Sequence, residues 1–249
     1  MVQDYESDDL LQQYLLFHYG KAKDRMPYGF GPEFGAPFPA RVVREFVEAP
    51  PHAAAARALD LGCAVGRSSF ELARHFGEVV GIDYSAAFIR AAHTMREAGE
   101  MRIRVKEEGR RYRDVCVSVH SDILRSRVHF EVGDAMALRD GLSDFDVVLM
   151  LNVIDRLHTP LLGLERLAGL VKPGGQLVLS SPYTWMAEFT PVERWLGHET
   201  GGGSSFDALQ SRLEADFALK RRVDFPMVIR EHSRKYQYCV PEVSVWRRR

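Results

Sequence analysis

The sequence predicts an α/β fold, a mainly parallel sheet with helices on both faces, and three observations predict it. From Ala58 to Ser181 short apolar runs alternate with helix-forming stretches, the rhythm of strands joined by helical crossovers. The first run, Ala58-Leu59-Asp60-Leu61, passes into a turn bracketed by Gly62 and Gly66 and then into helix-forming residues from Arg67 to His75. The next run, Glu78 to Asp83, closes on a carboxylate about 20 residues beyond that turn, the offset at which a doubly wound sheet brings an acid to ribose hydroxyls.

A chain of 249 residues is long enough for one such domain with additions and a substantial core. The formal net charge of -1 argues against a global field for nucleic acid, and Arg247-Arg248-Arg249 reads as a solvated chain end. With no basic-then-apolar leader and no run of about 18 apolar residues, the expectation is a soluble, cytoplasmic protein that does not enter a membrane. The three cysteines, Cys63, Cys116 and Cys239, are too scattered for a disulfide framework, and no local spacing among the nine histidines suggests a metal site.

Before the first strand, Asp8 to Tyr19 carries Leu11, Tyr14, Leu15, Phe17, His18 and Tyr19 at helical spacing and reads as a helix beside the site. Met26 to Pro32 is turn-rich. Pro39 to Val47 reads as a short helix opened by its proline and stopped before Pro50-Pro51, with Ala53 to Ala56 leading to the first strand. Residues 1–57 are thus read as an N-terminal helical lid, and 58–249 as the core of the same single domain.

Beyond Asp83, Ser85 is placed to cap a helix over Ala86 to Ala98 that Gly99 closes. Met101 to Val119 alternates apolar and polar residues about Glu107-Glu108-Gly109-Arg110, which predicts an inserted β-hairpin with one wet face. Val128 to Val132, Phe145 to Asn152 and Gln176 to Ser181 read as strands, Leu161 to Leu170 as a helix, and Lys172-Pro173-Gly174-Gly175 as a turn. Pro182 to Glu199 reads as an aromatic loop, Gly201 to Ser205 as a flexible joint, and Phe206 to Asp216 as a helix. Phe217 to Asp224 and Tyr236 to Trp246 are expected closing strands around a segment, Pro226 to Lys235, that gathers Arg230, Glu231 and His232.

Two readings of the glycine turn compete. A dinucleotide fingerprint needs glycine where Ala64 and Arg67 stand, so its pyrophosphate cradle is incomplete. The spacing Asp60-x-Gly62-x-x-x-Gly66 instead resembles the first motif of class I S-adenosylmethionine-dependent methyltransferases, and the helix, Lys172-Pro173-Gly174-Gly175 turn and following strand resemble a later part of the same pattern. The resemblance implies a Rossmann-like sandwich on a mainly parallel seven-stranded sheet, with S-adenosylmethionine as cofactor and S-adenosylhomocysteine as product. It assigns the cofactor to Asp60, Gly62, Cys63, Gly66 and Arg67 at the turn and to Asp83 at the ribose. Tyr84 would lie beside the adenine, Asp134 would accept from its exocyclic amine, Ala135 would offer a backbone amide, and Asn152 would stand at a strand's carboxyl end.

Further stretches reach beyond the cofactor motifs. Tyr14-Leu15-Leu16-Phe17-His18-Tyr19-Gly20, Asp60 to Arg74, Ser181-Pro182-Tyr183-Thr184-Trp185, Glu188-Phe189-Thr190-Pro191 and Ile229-Arg230-Glu231-His232 resemble the methyltransferase domain of ovothiol biosynthesis enzymes, over nearly the whole chain. That resemblance implies methylation of the imidazole π nitrogen of a 5-thiohistidine. The same residues suit 5-selenohistidine, and histidine, histamine or another small nitrogen or oxygen nucleophile stay open as acceptors. A non-catalytic cofactor-binding regulator is the rival of a different class.

The implied chemistry is direct displacement at a sulfonium methyl by a ring nitrogen lone pair, so the protein mainly aligns the reactants and excludes water. Candidate acceptor-binding residues are Tyr14, His18, Tyr19, Asn152, Arg156, Tyr183, Arg230 and His232, with Asn152, Tyr14 and His18 expected nearest the reacting atoms. An arginine suits the acceptor's carboxylate as a bidentate partner; Arg230 is the first expectation and Arg156 the second.

Overall fold

A computed structural model describes residues 4–32, 34, 37–52, 55–198 and 203–249. Three helices come first: α1 (Asp8–Tyr19), α2 (Ala22–Arg25) and α3 (Phe38–Phe46). Asp8 and Asp9 occupy the first turn of α1, where the free amides favour negative charge. Its last five residues, Leu15 to Tyr19, are all buried, so this end of the helix is inserted into the molecule rather than laid on it. Pro39 sits in the first turn of α3, where a missing N–H costs nothing.

The alternation that follows is β1 (Arg57–Leu61), α4 (Arg67–Leu72), β2 (Glu78–Asp83) and α5 (Ala86–Ala98). A hairpin of β3 (Glu100–Glu108) and β4 (Arg111–Ser118) comes next, then β5 (Val128–Val132), β6 (Phe145–Leu151), α6 (Pro160–Leu170), β7 (Val171–Ser181) and α7 (Ser205–Leu213). The chain closes with β8 (Phe217–Asp224), β9 (Met227–His232), β10 (Lys235–Cys239) and β11 (Glu242–Arg248). Seven strands form one sheet in the order β5-β2-β1-β6-β7-β11-β8. The pairs β5–β2, β2–β1, β1–β6 and β6–β7 are parallel, and only β11 runs against its neighbours. This is the mainly parallel seven-stranded sandwich that the sequence predicts.

The core lies on both faces. Ala58, Val79, Val147, Leu149 and Val178 pack with α1, α3, α4 and α5, whereas Leu59, Val80, Val148, Met150 and Leu177 pack with α6 and α7. Successive strand residues point to opposite faces, and a sheet covered on both sides reads as a continuous apolar run. Ser85 accepts the Phe88 amide and Gly99 takes φ +81°, so α5 has the bounds its caps dictate.

Several elements differ from expectation. Helix α4 ends at Leu72, and Arg74 and His75 form three-residue turns on Glu71 and Leu72. Helix α7 likewise ends at Leu213 rather than Asp216. The expected turn at Lys172–Gly175 is a loop bulging from β7: Phe145 pairs with Val171, yet Val147 already pairs with Gln176. Tyr236 to Trp246 is two strands, interrupted at Val240-Pro241 because proline cannot donate to a ladder. Pro226 to Lys235 contains β9, which pairs with β10 in a second hairpin. The expected joint at Gly201 to Ser205, the approach at Ala53 to Ala56 and the end of the aromatic loop at Glu199 lie wholly or partly outside the described residues. Helix α1 packs against β3, β4 and β9, so both hairpins wall the same side. Among the described residues no helix is long and apolar enough to cross a membrane.

Candidate active site

The carboxyl ends of β1, β2 and β6 meet where the sheet order reverses, the crevice in which open α/β sheets hold their ligands. Gly62 there has φ +80°, and a Cβ on it would stand 2.1 Å from Val153 Cγ2. Gly66, at φ +87°, would place a Cβ 2.6 Å from Phe130 Cζ. No larger residue fits either position. The turn is fastened by the Gly62 and Cys63 amides, which donate to Ile82 O at 2.7 and 3.0 Å.

Asp60, 1% exposed, accepts at Oδ2 from the hydroxyls of Ser68 and Ser69 at 2.7 and 2.6 Å. Its Oδ1 is buried without a partner, and burial pushes the carboxyl up to about 6. Tyr19 donates its hydroxyl to Val65 O at 2.6 Å, which makes it a brace of the turn. Arg67 pairs with Glu71 at 2.6 Å and lies over the Tyr19 ring.

Asp83 accepts from the Ala64 amide at Oδ2, 2.8 Å, and from the Ser85 amide at Oδ1, 2.9 Å. An ionised carboxylate has about four acceptor directions, so each oxygen keeps one for a hydroxyl. Burial raises its pKa. Tyr84 beside it is 78% exposed. Asp134 follows β5 and accepts the Met136 amide at 2.8 Å, with Ala135 buried next to it.

Asn152 follows β6 at φ +56°. Its Oδ1 accepts from Ser180 at 2.8 Å and its Nδ2 faces Met227 Sδ at 3.6 Å. Three residues on, the wholly buried Asp155 accepts at Oδ2 from the Thr184 amide, 2.9 Å, and from Arg156 Nη1, 3.0 Å. Burial raises its pKa. Arg156 also donates to Thr184 O at 2.8 Å and stands 5.4 Å from the Phe189 ring centroid. The Tyr5 and Tyr14 rings stand edge-on with centroids 6.2 Å apart, and burial raises both phenols, with the Arg156 charge opposing the rise. His18 is 5% exposed with no partner at Nδ1. Burial and, behind it, Arg67 lower it to about 3, so it is a neutral imidazole, 5.8 Å from the Tyr14 ring.

The expectation that Arg230 holds an acceptor carboxylate is corrected. Its side chain is 2% exposed and pairs with Glu107 Oε2 at 2.9 Å, while its other arm donates to Asp24 O at 2.6 Å. The guanidinium ties β9 to β3 and α2. His232, at the end of β9, accepts the Arg234 amide at 3.2 Å. Tyr183 donates to Glu242 at 3.0 Å, and burial raises its pKa. Tyr5, Asp155 and Met227 escaped the reading of the sequence. Only Asp155 had a signal, a carboxylate beside an arginine just past the end of a central strand.

The turn offers a cradle closed to any side chain, Asp60 an orphaned acceptor for a cation, and Asp83 acceptor directions for vicinal hydroxyls. This donor and acceptor set fits S-adenosylmethionine. Residues 59–177 match a family model described as a methyltransferase domain. Two curated relatives are ubiquinone biosynthesis O-methyltransferases. That of Bradyrhizobium sp. (strain ORS 278) is 30% identical over 71% of this chain and 60% of its own length. That of Azorhizobium caulinodans is 30% identical over 64% and 56%. The chain thus spans 60% or less of the length of these two relatives.

Among solved structures, the N-methyltransferase NodS of Bradyrhizobium japonicum in complex with S-adenosylhomocysteine aligns at TM-score 0.50, 15% identity and 78% of either chain. A S-adenosylmethionine-dependent methyltransferase of Methanosarcina mazei aligns at TM-score 0.54, 18% identity, 83% of this chain and 96% of its own. These two likenesses speak for the fold. Residues 59–177 thus resemble a methyltransferase domain, set on the mainly parallel seven-stranded sheet that these solved methyltransferases share.

Proposed function

We propose that the chain methylates the imidazole π nitrogen of a small amino acid, 5-thiohistidine or its selenium analogue. The observation that carries this reading is the protonation state of a buried aromatic group in which Tyr14 stands 5.8 Å from the His18 ring and 6.2 Å from that of Tyr5. His18 is held neutral and is far too weak a base at about 3, and Tyr5 and Tyr14 are held protonated. Such a lining suits a nucleophile that attacks through its own lone pair, as a neutral ring nitrogen does.

When bound, S-adenosylmethionine supplies an electrophilic methyl on a sulfonium. Asp83 would accept from the ribose hydroxyls, Asp134 and Ala135 would meet the adenine, and Asp60 Oδ1 would accept from the cationic end. Asn152 and Tyr14 orient the azole edge, and the aromatic side chains around them exclude water. Arg156 replaces Arg230 as the holder of the acceptor's carboxylate. Arg156→Met is predicted to raise the acceptor KM about tenfold or more and to leave the S-adenosylhomocysteine Kd unchanged, as calorimetry would show.

The names of the relatives favour a second reading, transfer to a phenol oxygen. Release of S-adenosylhomocysteine from 5-thiohistidine, 5-selenohistidine, histidine, histamine and a catechol, compared side by side, separates the two. Turnover on the thiol or selenol amino acid supports the first reading. Turnover on the catechol alone rejects it, and binding without turnover on any acceptor favours a regulator.

A further inference from the structure

The residues ahead of α1 form a strap across the crevice. Ser85 donates its hydroxyl to Tyr5 O at 2.9 Å, and the Ala87 amide donates to Glu6 Oε2 at 3.2 Å. These bonds fasten the strap to the start of α5, directly after Asp83. On the other wall, the Tyr5 ring lies 6.0 Å from that of Phe189, the same ring over which the Arg156 guanidinium stands at 5.4 Å. Between the walls the ring stands edge-on to Tyr14 at 6.2 Å and to Phe88 at 5.9 Å. One side chain thus joins the element after the ribose acid to the arginine on the acceptor side.

Arg156 Nη1 is committed to Asp155 and Thr184, and the Asp155 carboxylate balances its charge. An incoming carboxylate therefore gains from a second donor beside the guanidinium. A buried phenol next to the fork supplies that donor, and its ring supplies a wall. We propose that Tyr5 is an acceptor-recognition residue whose hydroxyl, together with the Arg156 guanidinium, binds the carboxylate of an amino-acid acceptor, on a strap that lifts to admit the cofactor. The proposal rests on the reading that the acceptor is an amino acid.

The test compares 5-thiohistidine with its decarboxylated analogue, 5-thiohistamine, on the full chain. Tyr5→Phe, which keeps the ring, is expected to lower kcat/KM for the amino acid about tenfold through KM, to spare the amine, and to leave the calorimetric Kd for S-adenosylhomocysteine unchanged. Equal loss on both acceptors overturns the recognition role. If the wild-type chain methylates neither compound, the amino-acid reading itself falls, while the strap is still tested by binding kinetics. Glu6→Gln, which loosens the strap without touching Tyr5, is expected to speed S-adenosylhomocysteine dissociation in stopped-flow fluorescence. An unchanged rate overturns the strap. If Tyr5→Phe fails to fold, Tyr5→Leu carries the comparison of the two acceptors with the same expected and contrary results.

Discussion

At Gly62 the backbone is left-handed and the space a side chain would take holds Val153, so Gly62→Ala combines backbone strain with overpacking. A destabilisation of about 2–4 kcal/mol is expected, with loss of S-adenosylhomocysteine binding, both readable by chemical denaturation and calorimetry. Asp60 gives a pH signature. Its carboxyl, ordinarily at 3.8, is raised to about 6 by burial, so the folded apo chain holds this proton longer than the unfolded chain does. Its contribution to stability is therefore fully present below about pH 4 and lost as pH rises through 6. A bound cation favours the ionised form, so cofactor affinity is predicted to rise between about pH 5 and 7, by at most about tenfold per unit. Asp60→Asn should flatten that slope. The glycine spacing and the acid closing β2 were legible because both are local features of the chain. The neutrality of His18 was not, since it comes from burial that only the assembled roof provides.

At the scale of elements, legibility followed cap chemistry. Ser85 and Gly99 bound α5 where the sequence places them, and Asp8 to Tyr19 is α1 as expected. Strand β9 was hidden because the inward-facing residue at its centre is Arg230, which breaks the apolar alternation. Its partners, Glu107 and Asp24, lie far off in the chain. Arg230→Met is accordingly predicted to cost about 1–3 kcal/mol by removing the donor to the Asp24 carbonyl and one of the two arginines that pair with Glu107, and to leave the acceptor KM unaltered. Arg156→Met should show the reverse pattern. Ser85→Ala removes both the α5 cap and the anchor of Tyr5 O. It should cost about 1 kcal/mol and loosen the strap, seen as faster amide exchange at its residues.

At the scale of the molecule, the parallel rhythm was legible because alternating strands and crossover helices follow one another along the chain, whereas the order β5-β2-β1-β6-β7, which departs from sequence order, is set by packing between distant segments. The antiparallel placement of β11 between β7 and β8 was not legible, since an apolar run reads alike in either direction. Tyr5, Arg156 and Phe189 come together because the segment ahead of α1 reaches the loops that follow β6 and β7, whereas the second hairpin engages Arg230 in its own packing. The acceptor side is therefore assembled from distant pieces, and its chemistry follows from the roof that covers it. Transfer from S-adenosylmethionine carrying a carbon-13 methyl, in the presence of 5-thiohistidine, tests this account most directly. The label should correlate with the ring carbons flanking the π nitrogen; a label on sulfur or on oxygen, or one that never leaves the cofactor, would contradict it.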